Sequence, residues 1–340
     1  LPHKISRIHV IDKVNVSASD TPLVLVTGAT GFIGTALCAA LATAGYRVRR
    51  ALRSSECANA DDAVVGDIGE RTDWRGALDG VRVVVHLAAR THVLREKTAE
   101  PLNEYRHINV AGTKTLIENA AHRVRRFVFL STVKVNGEST AGEPFRESDD
   151  PQPQDAYGKT KLEAEELLAA VAHRSGLELV ILRPPLVYGP GVKGNLLRLM
   201  RLIAAGAPLP FGSIENRRSL IGVANVADAI VACVRSPQAA GRTYLVSDGE
   251  DLSTPALVRM LAAPMQVAPR LFRCPVGLLE AVGALVGNAS EITRLTRSLE
   301  VDSSRIRAEL AWVPPHPVAL GLAQTGRWYN SQFCARAISK

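Results

Sequence analysis

Short apolar runs alternate with amphipathic stretches through the first half of the chain. Leu23-Val24-Leu25-Val26, Arg47–Leu52, Val64–Ile68, Val81–Leu87, Phe127–Leu130 and Val180–Leu182 are brief, rich in β-branched residues and bounded by turn formers. That is the pattern of strands buried on both faces of a parallel sheet. Between them, Thr35–Ala44, Tyr105–Ala121 and Tyr157–His173 repeat apolar residues at helical spacing, the last through Leu162, Ala164, Leu167, Leu168 and Val171. Strand and helix in alternation predict an α/β fold, a Rossmann-type doubly wound parallel sheet.

After Leu182 the pattern changes. Arg183-Pro184-Pro185 interrupts an apolar run that resumes as Leu186-Val187-Tyr188. Proline cannot donate to a ladder, so the chain is expected to leave the sheet there and begin a smaller C-terminal lobe. The expected division is a first domain over 21–185 and a lobe over 186–340, with segments around 220–250 packing back on the first domain. Helices are expected at Asn195–Ala205 and Val223–Val234, with strands near Arg217–Ile221 and Thr243–Val246. Leu271–Val286 is apolar but too short to span a bilayer, so burial or a partner surface is favoured over an interfacial role. Residues 1–20 are polar, weakly patterned and lack the apolar core of a signal peptide; they are read as a leader or an additional edge strand.

The junction between the first strand and helix reads Thr27-Gly28-Ala29-Thr30-Gly31-Phe32-Ile33-Gly34. Its three glycines fall where the chain must turn sharply, where backbone meets a pyrophosphate, and where the helix lies close on the strand. The helix N-terminus then offers free N–H groups to the phosphates. The junction is a dinucleotide site. An acid about twenty residues past the glycines holds the ribose 2′-hydroxyl of NAD; Leu52-Arg53-Ser54-Ser55 stands there instead. Arg53 suits a 2′-phosphate, so between NAD and NADP the latter is favoured. Asp67 ends the third strand on the adenine side, and His86-Leu87-Ala88-Ala89 ends the fourth in small residues that let a cofactor lie against backbone.

Composition narrows the partners. The 340 residues carry a formal charge of +8, but the basic residues are dispersed. A phosphorylated small molecule is therefore expected, and no nucleic acid. Five cysteines without metal-ligand spacing point to reduced thiols, a cytoplasmic location and no metal site. No apolar run approaches the ~18 residues of a transmembrane segment.

Tyr157 and Lys161 lie four apart and so share a helix face. A fixed ammonium favours the phenolate and is expected to move the tyrosine from about 10 towards the working range. Such a tyrosine exchanges a proton with a hydroxyl or carbonyl while hydride moves to or from nicotinamide.

With Asp67-Ile68, Asn109-Val110-Ala111-Gly112-Thr113, Ser131-Thr132, Tyr157-x-x-x-Lys161 and Arg183-Pro184 added to the glycine turn, the chain over about 22–330 resembles the extended short-chain dehydrogenases/reductases. Within these it is similar to the nucleotide-sugar epimerase/dehydratase family. The resemblance implies that Tyr157 is the acid/base and that Lys161 anchors the nicotinamide ribose. Thr132, five residues before Gly137, would hydrogen-bond the reacting oxygen. It implies cofactor contacts from Gly28, Thr30, Gly31, Phe32, Ile33, Gly34, Arg53, Asp67, Ile68, Leu87, Ala88, Ala89, Asn109, Tyr157, Lys161 and Pro184. On the substrate side it implies Val133, Lys134, Asn195, Leu196, Leu209, Phe211 and Arg218, the last on a diphosphate.

Two departures refine the expectation. Leu186 replaces an asparagine of many members, and the Arg-Pro-Pro-Leu-Val-Tyr-Gly-Pro-Gly form is similar to 4-epimerases of UDP-N-acetyl-hexosamines and to reductases of UDP-4-keto-6-deoxy-N-acetyl-hexosamines. Val133-Lys134 also stands where the 4,6-dehydratases carry an acidic pair, which disfavours water elimination. The resemblance thus implies a 4-epimerase or 4-ketoreductase of a UDP-sugar in surface-polysaccharide synthesis. It also implies a homodimer paired through helices near 105–121 and 157–173. The alternative is a dinucleotide-binding sensor or structural relative without turnover, against which Thr132, Tyr157 and Lys161 argue.

Overall fold

In the computed structural model, residues 21–91, 101–285, 287 and 289–334 are described. The leader or edge strand expected at 1–20 lies outside them. The described residues open with five strands and the helices between them: β1 (Leu23–Thr27), α1 (Phe32–Thr43), β2 (Arg47–Leu52), β3 (Ala63–Val64), β4 (Val81–His86), α2 (Pro101–Arg106), α3 (Thr113–Ala120) and β5 (Arg126–Leu130). Next come α4 (Ala156–Ser175), β6 (Glu178–Arg183), β7 (Leu186–Tyr188), α5 (Gly194–Ala204), β8 (Arg218–Gly222), α6 (Val223–Arg235) and β9 (Arg242–Leu245).

The larger sheet is parallel and ordered β3-β2-β1-β4-β5-β6-β9. Strand order reverses between β1 and β4, which opens a crevice at their carboxyl ends. Alternation within β1 explains the two layers. Val24 and Val26 face one apolar cluster with Leu37 and Leu41 of α1 and Val226 and Ile230 of α6. Leu23 and Leu25 face the other, with Leu116 and Ile117 of α3 and Ala164 and Leu168 of α4. The sheet is doubly wound.

Pro184 and Pro185 separate β6 from β7, which belongs to a second sheet ordered β10-β8-β7, β10 being Asp251–Leu252. A third cluster fills this lobe, drawing on Leu196, Met200 and Ile203 of α5 and on Val258 and Leu261 of α7 (Thr254–Ala262). The remaining helices are α8 (Val276–Leu285), α9 (Ala289–Thr296), α10 (Ser304–Leu310) and α11 (Val318–Tyr329). In α8, Leu279 is buried while Leu278, Val282 and Leu285 face solvent. Among the described residues, no helix is long and apolar enough to cross a membrane.

Two elements differ from the pattern. The third strand stops at Val64: Val65 N still donates to Leu52 O, but Gly66 takes φ +73° and turns the chain, so Asp67 and Ile68 lie on a loop. The helix expected at Tyr105–Ala121 is broken by a π-helical segment, His107–Gly112. One residue inserted into a helix barely alters a 3.6-residue apolar period, so the pattern could not reveal it.

Candidate active site

The glycine turn is built against the end of β4. Gly28 takes φ +66°, and a Cβ there would lie 2.9 Å from Ala88 N. A Cβ on Gly34 would fall 2.1 Å from Gly28 O. Neither position admits a side chain. Gly31 opens α1 with no side-chain cap, so no capping side chain engages its first-turn N–H groups. Thr30 is exposed, and the half-buried Phe32 leans towards Gly189 and Gly191 of the second lobe. Ile33 packs on the sheet.

Thr27 Oγ1 accepts from Leu87 N and Ala88 N, both at 3.2 Å, and fixes the opposite wall of the crevice. His86 is scaffold. It is buried, with Nδ1 2.7 Å from Thr27 Oγ1 and Nε2 2.9 Å from Thr113 Oγ1, and burial chiefly, with the Lys161 charge, holds its pKa at about 3. Asn109, in the π-helical segment, accepts from Arg90 N at 2.7 Å and donates to Arg90 O and Thr160 Oγ1, both at 3.1 Å. Its side chain thereby ties the loop after β4 to α4, and Ala89 lies in that loop.

Arg53 and Asp67 meet each other. Their side chains are 81% and 82% exposed, with Nε 2.6 Å from Oδ1. Arg53 was expected to await a 2′-phosphate; its partner here is the carboxylate expected on the adenine side. Sequence could not foresee the pair, because the turn at Gly66 brings the two together. Ile68 is half-buried against Gly112.

β5 delivers Ser131 and Thr132 at its carboxyl end. Thr132 caps the short 3₁₀ turn Val133–Val135, its Oγ1 accepting from Lys134 N at 3.3 Å. Val133 is buried, and its N donates to Pro184 O at 3.0 Å. Ser131 Oγ is buried and has no hydrogen-bond partner among the described residues. An orphaned hydroxyl at this edge, a glycine cradle and an uncapped helix N-terminus together fit a dinucleotide.

Tyr157 and Lys161 stand on the first turns of α4. Lys161 is fully buried, with Nζ 3.7 Å from the centre of the Phe129 ring. Burial draws its pKa down to about 7 against the pull of Glu165. The expectation for Tyr157 is corrected: burial first, then Asp155 and Tyr105, pushes its phenol well above the ordinary value. Spacing on a helix could reveal neither the desolvation nor the nearby Asp155.

Sequence reasoning missed the ionic cluster below this pair. Lys134 Nζ lies 2.5 Å from Asp155 Oδ2 and 2.9 Å from Glu138 Oε1, and Arg294 of α9 reaches the same carboxylates at 3.5 and 3.4 Å. Asp155 also N-caps α4, accepting from Gly158 N at 2.7 Å. An acid three residues before that glycine is a helix-start signal legible in the sequence; Arg294 left none. Arg218 starts β8, donates to Arg297 O at 2.9 Å, and is lowered to about 10 mainly by burial, with Glu138 and Arg294 close by.

The rest of the expected substrate side is mixed. Asn195 is exposed at the start of α5. Leu196, Leu209 and Phe211 are buried in the lobe's own core, and the backbone N and O of Leu209 are already paired with Arg270 O and Phe272 N. Among the described residues no group of histidine, cysteine and acidic side chains could hold a metal.

Comparison with known proteins follows the same lines. The family described as NAD dependent epimerase/dehydratase matches residues 24–247. A UDP-glucose 4-epimerase of Vibrio cholerae is 45% identical over 311 residues, covering 89% of this chain and 94% of that protein. An N-acetyl-α-D-glucosaminyl-diphospho-ditrans,octacis-undecaprenol 4-epimerase of Escherichia coli O157:H7 is 25% identical, covering 89% and 93%. The solved structure of MoeE5 in complex with UDP-glucuronic acid and NAD superposes with a TM-score of 0.74 at 28% identity, covering 91% of this chain and 99% of that one.

Proposed function

This chain belongs to the NAD dependent epimerase/dehydratase family, and from that premise we propose that it is an NAD-dependent 4-epimerase of a UDP-sugar. The observation that supports the proposal is that Thr132 follows β5 at its carboxyl end while Tyr157 and Lys161 stand on the first two turns of α4, and that the turn after Thr132 meets α4 where a Cβ on Gly158 would lie 2.9 Å from Lys134 O. The relatives named above support reaction at C4 and a diphosphate-linked sugar. The form of the Arg183–Gly191 segment favours an N-acetyl-hexosamine, and with it a role in surface-polysaccharide precursors. Arg53 would favour NADP and a reductase, but its salt bridge to Asp67 withdraws much of that support.

A bound nicotinamide supplies a hydride acceptor and, later, a hydride donor. The chain's own residues do the remainder. Tyr157 takes the proton of the C4 hydroxyl as that carbon is oxidised and returns it when the other face of the sugar is reduced. Thr132 Oγ1 hydrogen-bonds the reacting oxygen. Lys161, held over Phe129, would anchor the cofactor ribose one helical turn from Tyr157. Gly28, Gly31 and Gly34 cradle the pyrophosphate, while Leu87, Ala88 and Ala89 line the opposite wall. Arg218 and Asn195 face the substrate's diphosphate from the second lobe.

The test is direct. Purified protein is denatured and the released cofactor identified by mass spectrometry, and UDP-hexoses and UDP-N-acetyl-hexosamines are offered without added cofactor. Stoichiometric NAD and interconversion of a C4 epimer pair are expected, with Tyr157→Phe slower by at least about a hundredfold yet still binding UDP. Near-normal turnover in that variant, or consumption of NADPH with no epimer formed, would overturn the assignment.

A further inference from the structure

Lys134 sits two residues after Thr132 and reaches the helix that carries Tyr157. Its carbonyl oxygen lies 2.9 Å from where a Cβ on Gly158 would be, so the 3₁₀ turn and the first turn of α4 are in direct contact. Its ammonium donates to Asp155 Oδ2 at 2.5 Å, and the other oxygen of that carboxylate holds Gly158 N at 2.7 Å. One side chain therefore links the loop of the hydroxyl to the cap of the phenol's helix.

We propose that Lys134 is a positioning residue for the proton-transfer pair: it fastens the Thr132 turn to α4 through Asp155, the carboxylate that caps the helix of Tyr157. The inference rests on Tyr157 being the acid/base. The charged and titratable groups acting on the phenol are Asp155, the cap of its own helix, and Tyr105 on α2, with Lys161 one turn further along α4. Around Asp155 stand Lys134 from the 3₁₀ turn and Arg294 from α9, with Glu138 bound to both and Arg218 of β8 beyond. Two carboxylates thus face two close cations. Removing the Lys134 charge leaves Asp155 with Arg294, at 3.5 Å, as its remaining close cation, and a less well offset negative neighbour two residues from Tyr157 disfavours the phenolate. Lys134 is consequently committed to protein carboxylates rather than to the sugar.

The experiment compares pH profiles of kcat and KM for the holoenzyme with the UDP-sugar it epimerises, in wild type, Lys134→Met, Lys134→Arg, Asp155→Asn and the Lys134→Met/Asp155→Asn pair. Asparagine caps a helix nearly as well as aspartate, so α4 keeps its start. Lys134→Met should move the rise of kcat to higher pH by at least about half a unit, with KM within about twofold. Lys134→Arg should restore the profile, Asp155→Asn should move it to lower pH, and the double variant should return near wild type. If Lys134→Met fails to fold, the Asp155→Asn shift alone carries the test. A raised KM with an unmoved profile would assign Lys134 to the sugar and overturn the proposal, as would no change in either quantity. Activity in Tyr157→Phe would instead remove the acid/base assignment itself, so the two failures are distinguishable.

Discussion

Ser131→Ala should make the cofactor-free protein more stable and the cofactor bind less well. Ser131 is 2% exposed, and its Oγ has no hydrogen-bond partner among the described residues. Its backbone N is engaged with Leu182 O at 2.7 Å, so the strand end persists without the side chain. An unsatisfied buried hydroxyl costs about 1–3 kcal/mol. Replacing it by a methyl removes that cost and leaves a void of a single oxygen atom, a net gain of about 1 kcal/mol. In a chain of this size that is a rise of roughly 2–3 °C in melting temperature. The same oxygen would meet the cofactor at the carboxyl edge of β5, and a neutral hydrogen bond contributes about 0.5–1.5 kcal/mol, or roughly 2–12-fold in the dissociation constant. Scanning calorimetry of stripped protein gives the first quantity and isothermal titration with NAD the second. A lower melting temperature, or an unchanged affinity for NAD, would refute the argument that this hydroxyl awaits a ligand.

Three further outcomes are expected. Arg218→Ala should weaken UDP by about 1.5–3 kcal/mol by titration calorimetry, while kcat at saturation changes far less, since a diphosphate contact is shared by ground and transition states; unchanged UDP affinity would remove the sugar-nucleotide substrate. For Lys161, the folded pKa of about 7 lies below the usual 10.5, so between these values the unfolded chain binds more protons and stability rises with pH. Urea midpoints of stripped protein at pH 6, 8 and 10 should show that rise in wild type relative to Lys161→Met, and parallel pH dependences would refute it. Arg53→Ala should leave NAD affinity within about twofold, because the side chain is exposed and engaged with Asp67; a selective loss of NADP binding in calorimetry would reinstate Arg53 as the 2′-phosphate residue.

What could be read from the sequence was local. The glycine turn, the strands β1, β2, β4, β5 and β6 and the helix carrying Tyr157 and Lys161 are set by residues within one or two turns of each other, and stand where the apolar pattern put them; the third strand, which stops at Val64, does not. The sheet switch after Arg183 was equally legible, because proline acts on its own backbone. What escaped was tertiary. Arg294 meets Glu138 across 156 residues of chain, and nothing near either residue announces the other. The depth of burial around Tyr157, which reverses the direction expected for its pKa, depends on helices and strands that come together only in the fold. Arg53 failed as a cofactor signal for a similar reason, since the turn at Gly66 supplies it with a partner.

The order in which the larger sheet is completed has a consequence for biosynthesis. β9 and α6 follow the first strands of the second lobe, and the apolar cluster against α1 also takes Ile306 and Trp312, the latter donating to Asp228 at 2.8 Å. A nascent chain that has emerged only as far as Pro185 therefore carries the whole glycine turn and the Tyr157–Lys161 pair on a sheet whose β6 edge lacks β9 and whose α1 face lacks α6. Unpaired edges and bare apolar faces are the features that chaperones recognise and that drive aggregation. The apolar core of the nucleotide half is completed only by residues synthesised more than a hundred positions later. Truncation between the two sheets should accordingly yield aggregate rather than a minimal dinucleotide binder.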